Sequence, residues 1–427
     1  MSVAEPTVQA TAAVRRVLQN DPALTHLLIC EPPTTVQREG SHFEITYITD
    51  DDTAVRNLCD GIGSNSTLRD VCFDMPLGVS DRIASSACFE GLRQNESIRS
   101  LGLSRCELSR GVGLEVLNAF AVNRDHLRKF ALWRCQLRFG GRAALSATLT
   151  QCKSLTDISL SSCQIDDGMV ENIVQAVKGH QGLTRLDLSE NNIGRVGCEA
   201  LSTLLQDANC GSLKNLDLRN NAIDNVGAKA IANGLSSNQS LEAVYLDDND
   251  DISAQGWNSF SKLVCDISSL NATHSSNHTL GMIASFDKVK VAGSNLYDKD
   301  GVIPTPLLSL VEMNGSDPDK RIVVRRKILH HHFKDEFSID PFVESNMDLN
   351  VLPHVLAWIG QSADSKSHSA LFHLLQEMPE LCSMYDLLVA QNWEALVAGE
   401  QQGECRFERL KSRLESFFGT LLCLIRK

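Results

Sequence analysis

The sequence predicts an α/β solenoid of parallel inner strands and outer helices, and three observations carry that prediction. Similar segments start at Leu68, Ile98, Leu127, Leu155, Leu183, Leu213, Leu241 and Leu270, a spacing of 28 to 30 residues. The six from Ile98 to Leu241 have apolar residues at their first, fourth and sixth positions, as in LTRLDLSENNI from Leu183 and LKNLDLRNNAI from Leu213, and degenerate copies from Leu68 and Leu270 flank them. A stretch with helical apolar spacing then follows, such as Val170, Ile173, Val174 and Val177. A fixed period of this length marks a repeat array whose units cannot bury their apolar face alone.

Each part of the unit has a physical cause. Alternation of period two makes a short strand with its leucines turned to one side. Counting the first leucine as position 0, position 8 holds Cys106, Cys135, Cys163, Asn191, Asn221 and Asn249. The chain turns away from the strand there and leaves backbone groups to be paired; an amide pairs them well and a thiol more weakly. These six residues are therefore expected to form a structural ladder, with the three cysteines reduced. After the turn comes a glycine (Gly113, Gly141, Gly168, Gly197, Gly227, Gly256), which permits close approach between neighbouring units.

This combination of LxxLxL core, position-8 Asn or Cys and long period resembles the leucine-rich-repeat superfamily, and within it the long-repeat subclass typified by ribonuclease inhibitor. The resemblance covers about half of the chain, Leu68 to Leu280. It implies a right-handed solenoid with a concave sheet and says nothing specific about function, because the scaffold serves many partners. The region after it, with NATHSSNHTL, KILHHHF and PHVLAWIG, resembles the helical tail of uncharacterised repeat proteins of unicellular eukaryotes.

The domain organisation expected is an N-terminal cap or degenerate repeat over residues 1–67, the solenoid over 68–280, a loop or linker over 281–303 and an α-helical region over 304–427. In the first of these, AVRRVLQNDPALTHLLI is expected as a helix, HFEITYI as a strand and DDTAVRNLCDGIG as a helix. In the last, TPLLSLVEMN and SDPDKRIVVRRKILHHHF are expected helices. The basic run Arg321, Arg325, Arg326 and Lys327 is expected on a solvated helix face.

Composition narrows the functional classes. Forty Lys plus Arg against 53 Asp plus Glu gives a net charge of −13, which disfavours coating nucleic acid or an anionic membrane through the field of the whole chain. FFGTLLCLI, the longest apolar stretch, is less than half of the roughly 20 residues a membrane helix needs. Fourteen scattered cysteines without CxxC pairs fit a reducing, cytoplasmic or nuclear setting. In that setting the six N-x-S/T sequons are polar loop chemistry. His330, His331 and His332 are neighbours on a helix, about 100° apart, and cannot converge on one metal ion. No GxxxxGK[ST] occurs and no catalytic grouping stands out, so a non-enzymatic chain without metal or cofactor is expected.

The side chains at positions 2, 4 and 6 of each strand should line the hollow. The candidate partner-binding residues there are Lys129, Trp133, Asp157, Arg185, Asp187, Asp217, Arg219, Tyr245 and Asp247. Aromatics and Arg are the types that dominate protein interfaces. The expected function is a scaffold holding a protein partner on the concave face, with neither nucleic acid nor membrane as partner. The alternative is a GTPase activator resembling the Ran GTPase-activating proteins; that family has a strongly acidic segment after its repeats, whereas this tail is mixed in charge.

Overall fold

The computed structural model describes residues 14–30, 44–47, 52–75, 86–108, 111–121, 126–207, 211–284 and 303–332. Contacts divide the chain into Met1–His332 and Phe333–Lys427, and the second unit lies outside the described residues, as do the helices expected in it.

Nine strands form one sheet: β1 (His26–Cys30), β2 (Glu44–Tyr47), β3 (Asp70–Asp74), β4 (Ser100–Ser104), β5 (Lys129–Trp133), β6 (Asp157–Ser161), β7 (Arg185–Asp187), β8 (Asn215–Asp217) and β9 (Ala243–Tyr245). Their order is β2-β1-β3-β4-β5-β6-β7-β8-β9, and every pairing is parallel. The connections carry α1 (Asp52–Ser64), a 3₁₀ helix (Ser86–Gln94), α2 (Gly111–Ala121), α3 (Phe139–Gln151), α4 (Asp167–Val177), α5 (Arg195–Leu205), α6 (Asn225–Gly234) and α7 (Ala254–Val264). Each of these packs on the next in chain order, so helices and strands stack in parallel rows.

The apolar positions of each strand, such as Leu101 and Leu103, Phe130 and Leu132, and Ile158 and Leu160, are buried. Opposite them lie the inner faces of the helices, for example Met169, Val170, Ile173, Val174 and Val177 of α4. One core therefore runs continuously from Val17 to Val311. The close approach expected of glycine is clearest at Gly141, where an added Cβ would stand 2.7 Å from the Leu108 carbonyl oxygen of the preceding repeat.

Two features recur along the array. Arg105, Arg134, Ser162, Glu190, Asn220 and Asp248, all at position 7, adopt left-handed backbone with φ between 51° and 57°. This conformation costs an L residue about 1–2 kcal/mol, and the turn out of the strand imposes it whatever the side chain. The second feature lies three residues before the first leucine. Asn65, Asn95, Asn238 and Asn277 occupy that position, and each belongs to a sequon. Asn95 donates from Nδ2 to the carbonyls of Ile62 (2.6 Å) and Asn65 (2.8 Å), while its Oδ1 accepts from the N–H groups of Ser97 and Ile98. Asn277 likewise donates to Leu235 and Asn238 and accepts from Thr279 and Leu280. In the middle repeats Cys152 and His180 hold the place, the latter with its ring nitrogens 3.0 Å from the Val177 carbonyl and 3.2 Å from that of Cys152. These sequons are thus structural amides joining adjacent repeats, not loop decoration.

Three readings of the sequence differ from the structure. The segment AVRRVLQNDPALTHLLI is helical only over residues 14–18; Asn20 turns left-handed, Pro22 follows, and Leu24, Leu27 and Ile29 take the strand spacing to make β1. The segment from Leu270 is a short helix, α8 (Leu270–His274), begun by the Ser269 hydroxyl accepting from Ala272 N–H. The repeat frame restarts ten residues later at Leu280, with Val244 N–H donating to the Met282 carbonyl. Lys327, expected on a solvated face, is fully buried.

The last two described helices, α9 (Thr305–Gly315) and α10 (Lys320–His332), pack on α7 and α8 respectively. The Lys327 ammonium of α10 donates to the carbonyl of Val264, the last residue of α7, and lies 3.5 Å from the Asn277 carbonyl and 3.2 Å from Nδ1 of His278. Burial lowers its pKa to about 7, and burial with the neighbouring Lys327 charge lowers that of His278 to about 4. Cys265 and Lys320 are the other titratable groups acting on the ammonium.

Two predictions arise here. Asn95→Ala should destabilise the protein by about 2–4 kcal/mol in denaturant titration, because it leaves the buried N–H groups of Ser97 and Ile98 without their acceptor and takes one of two donors from each of the Ile62 and Asn65 carbonyls. Between pH 7 and 10 the folded state sheds the Lys327 proton that the unfolded chain keeps, so the contribution of this lysine to stability rises with pH. Comparing Tm at pH 7 and pH 9.5, wild type should gain relative to Lys327→Met as pH rises; parallel pH profiles would contradict this sign.

Candidate interaction surface

The face of the sheet opposite the core carries positions 2, 4 and 6, and all nine candidate partner-binding residues lie on it. Lys129, Trp133 and Arg185 are exposed, Asp157, Arg219 and Tyr245 are half-buried, and Asp187, Asp217 and Asp247 are buried. The register aligns Lys129, Asp157, Arg185, Asn215 and Ala243 in one row and Ala131, Ser159, Asp187, Asp217 and Tyr245 in the next. Trp133 and Tyr245 are four strand steps apart, about 20 Å at the usual strand spacing.

The internal bonding of these residues divides the face in two. Toward β9, Arg219 holds Asp217 through Nε (2.9 Å) and Nη2 (2.6 Å), and this pairing keeps the guanidinium well above its ordinary pKa. The same guanidinium lies 5.6 Å from the Tyr245 ring centre, and the Tyr245 hydroxyl donates to Met282 Sδ at 3.2 Å. Asp187 accepts from the hydroxyls of Ser159 (3.0 Å) and Ser189 (2.7 Å), with Arg185 at 3.5 Å. These side chains are already committed to one another. Removing Arg219 would leave Asp217, 3% exposed, without its counter-charge, so Arg219→Ala is expected to cost stability as well as contacts.

Toward β5 the arrangement is open. Trp133 remains 39% exposed although the Arg134 guanidinium sits 4.6 Å above its ring. Beside it, Arg105 forms a bidentate pair with Asp74 at 2.8 and 2.9 Å. Arg105 and Arg134 both come from the left-handed position 7, which was not among the candidate residues. The signal for them was present: position 7 precedes the ladder residue in every repeat, so its side chain leaves the strand at the rim of the same face.

The ladder lies beside this surface. Asn191 donates to the carbonyls of Leu160, Leu188 and Ser189 and accepts from the N–H groups of Cys163 and Ile165; Asn221 and Asn249 repeat the scheme one and two units on. Cys106, Cys135 and Cys163 are buried and unpaired by disulfides, and their thiols donate to the carbonyls of Ser104 (3.3 Å), Leu103 (3.3 Å) and Ser161 (3.3 Å). Hydrogen bonding to Cys135, with burial, holds Cys106 and Cys163 well above the usual thiol range, while against burial the same bonds push Cys135 well below it; what all three share is closed packing that leaves each at most 1% exposed to a reagent. Thiol titration should therefore find these three unreactive in the native protein and reactive after denaturation; alkylation of any of them under native conditions would contradict the ladder.

Among the described residues no helix is long and apolar enough to cross a membrane, and no group of three or more His, Cys, Asp or Glu is placed to hold a metal ion.

Comparison with known proteins agrees with the repeat geometry. A family model described as Leucine Rich repeat matches residues 151–171, 180–202 and 209–232. The chain is 33% identical over 127 residues to the NACHT, LRR and PYD domains-containing protein 12 of Mus musculus, covering 29% of this chain and 12% of that one. It is 28% identical over 187 residues to the NACHT, LRR and PYD domains-containing protein 13 of Homo sapiens, covering 44% and 17%. The chain thus spans less than a fifth of the length of these relatives. Among solved structures it is similar to one from the yeast Rad7 and Elc1 complex (TM-score 0.30, 14% identity, 70% of this chain and 85% of that chain). An internalin, inlF of Listeria monocytogenes, is also similar (TM-score 0.23, 14% identity, 50% and 74%). With its repeat matches and its sheet of parallel strands alternating with helices, the chain resembles the leucine-rich-repeat superfamily and folds as a leucine-rich-repeat solenoid.

Proposed function

We propose that this chain is a non-enzymatic protein-interaction scaffold that holds a macromolecular partner on the open, concave face of its sheet. The observation that carries the reading is the exposed Trp133 in the middle of a continuous parallel sheet. A large aromatic on such a face gains little from solvent and much from burial against a partner, and Trp is among the residues that dominate interface energetics. The repeat matches support a scaffold role, since arrays of this kind present extended binding surfaces. Lys129, Asp157 and Arg185 extend the contact surface on β5, β6 and β7, while Asp187, Asp217, Arg219, Tyr245 and Asp247 shape its far end.

Affinity capture with wild type and with Trp133→Ala tests the proposal. Trp133→Ala should weaken capture of the partner by more than about 1 kcal/mol with little change in Tm. Capture that is unaltered in Trp133→Ala, Lys129→Ala and Arg185→Ala alike would move the binding site off this face. A GTP hydrolysis assay on the captured partner separates a scaffold, which leaves the rate unchanged, from a GTPase activator.

A further inference from the structure

Resting on the scaffold reading, we infer that the part of the open face around β5 docks an acidic peptide segment, with a carboxylate beside an apolar side chain. The argument begins with charge that has no internal use. The chain carries a net charge of −13, yet Lys129 and Arg134 are both exposed and among the described residues neither forms an ion pair. Asp74 is held by Arg105, and Asp157 stands in register with Lys129 on β6 without forming an ion pair with it.

Apolar and polar features converge at the same place. Trp133 offers an exposed indole face with the Arg134 guanidinium stacked on it, so an apolar side chain and a carboxylate can be met by adjacent groups. The strands on either side put only small residues beside it. Ser104 and Ser161 are in register with Trp133, and Gly102 and Ser159 with Ala131, leaving a low floor between Trp133 and Lys129. The Ser104 hydroxyl is buried and has no hydrogen-bond partner, a second and independent sign of an uncommitted polar group at this position.

The far end of the face gives the ligand a direction. Asp187, Asp217 and Asp247, with Glu190 and Asp248 at the rim, outnumber Arg185 and Arg219 and leave the β7–β9 half net acidic. An acidic segment is repelled there and attracted over β5, which fixes which end of a partner lies where.

Peptide display against the full chain, followed by titration of the enriched peptides at low and high salt, tests the inference. Enriched peptides should carry Asp or Glu next to Leu, Phe or Trp, and higher salt should weaken them. They should bind the Lys129→Glu, Arg134→Glu double variant at least tenfold more weakly. The Lys129→Gln, Arg134→Gln variant serves if charge reversal impairs folding, and replacing the peptide's acids by amides should have a similar effect. No enrichment of acidic peptides, or acidic peptides bound equally well by the double variants, overturns the inference. Enrichment of basic or uncharged peptides whose binding depends on Trp133 or Arg185 would sink the acidic ligand and leave the scaffold reading intact. Peptides indifferent to every open-face substitution would count against both.

Discussion

The described turns leave backbone N–H and C=O groups that one side chain bridges between its own repeat and the adjacent one, and the rest of the structure depends on that debt being met at strand entrance and exit. At the strand entrance Asn65, Asn95, Asn238 and Asn277 reach back to the preceding turn. At the exit the position-8 residues reach back to the preceding strand, Cys135 to Leu103 and Asn221 to Leu188. Stability in such an array is a sum of neighbour interfaces, so its ends need substitutes for a missing neighbour. At one end β2 inserts beside β1 between the strand and helix of the first unit. At the other, residues 282 and 283 pair with strand β9 and its continuation, Asn314 donates to the Asn277 carbonyl and Lys327 to that of Val264.

The exchange of Asn for Cys at position 8 shows how the same requirement is met by weaker chemistry. An amide both donates and accepts, whereas a thiol donates weakly and is a poor acceptor. Where the next repeat carries Asn, the N–H at position 10 is taken by its Oδ1, as for Ile165, Ile193 and Ile223. Leu108 faces a cysteine in the next repeat, and its N–H is taken by the backbone carbonyl of Gln136 at 3.0 Å, with Gln136 N–H returning to Cys106. The backbone thus assumes the accepting role that the thiol lacks. This accounts for both residues serving one ladder without any redox or metal role for the cysteines.

Legibility followed local periodicity. The leucine frame, the parallel sheet and the position-8 ladder could be read because each repeats at a fixed spacing and has one dominant cause. β1 was concealed because Leu24, Leu27 and Ile29 stand 44 residues before Leu68, a gap lengthened by β2, and a lone apolar run reads equally well as helix. The Asn ladder at the strand entrance was written in the sequence as N-x-S/T followed by Leu or Ile, yet it resembles a modification motif and is interrupted by Cys152 and His180 in the middle of the array. Lys327 could not be placed from sequence, since its burial depends on where α10 meets the end of α7. On the open face the positions of the side chains followed from alternation, but their division into committed and uncommitted groups did not.

On the proposed scaffold reading, that division bears on where a partner can be met. A charged residue bonded within its own sheet must lose that partner before it can serve another, and burial raises the cost of doing so. Asp217 with Arg219, and Asp187 with Ser159 and Ser189, are in this position, which makes the most charged part of the face the least available. Trp133, Arg134 and Lys129 have lower barriers: the indole and ammonium are exposed, and the guanidinium stacked on the indole has no carboxylate partner among the described residues. Arg134 holds that place in a left-handed conformation that would suit Asn or Gly better. The fold imposes the backbone cost at the six position-7 residues that adopt this conformation, but it does not impose an arginine, and at Arg105 the side chain gains an ion pair with Asp74. Arg134 gains instead its stacking on the Trp133 ring, and on the proposed reading that pair is what the open face offers a partner.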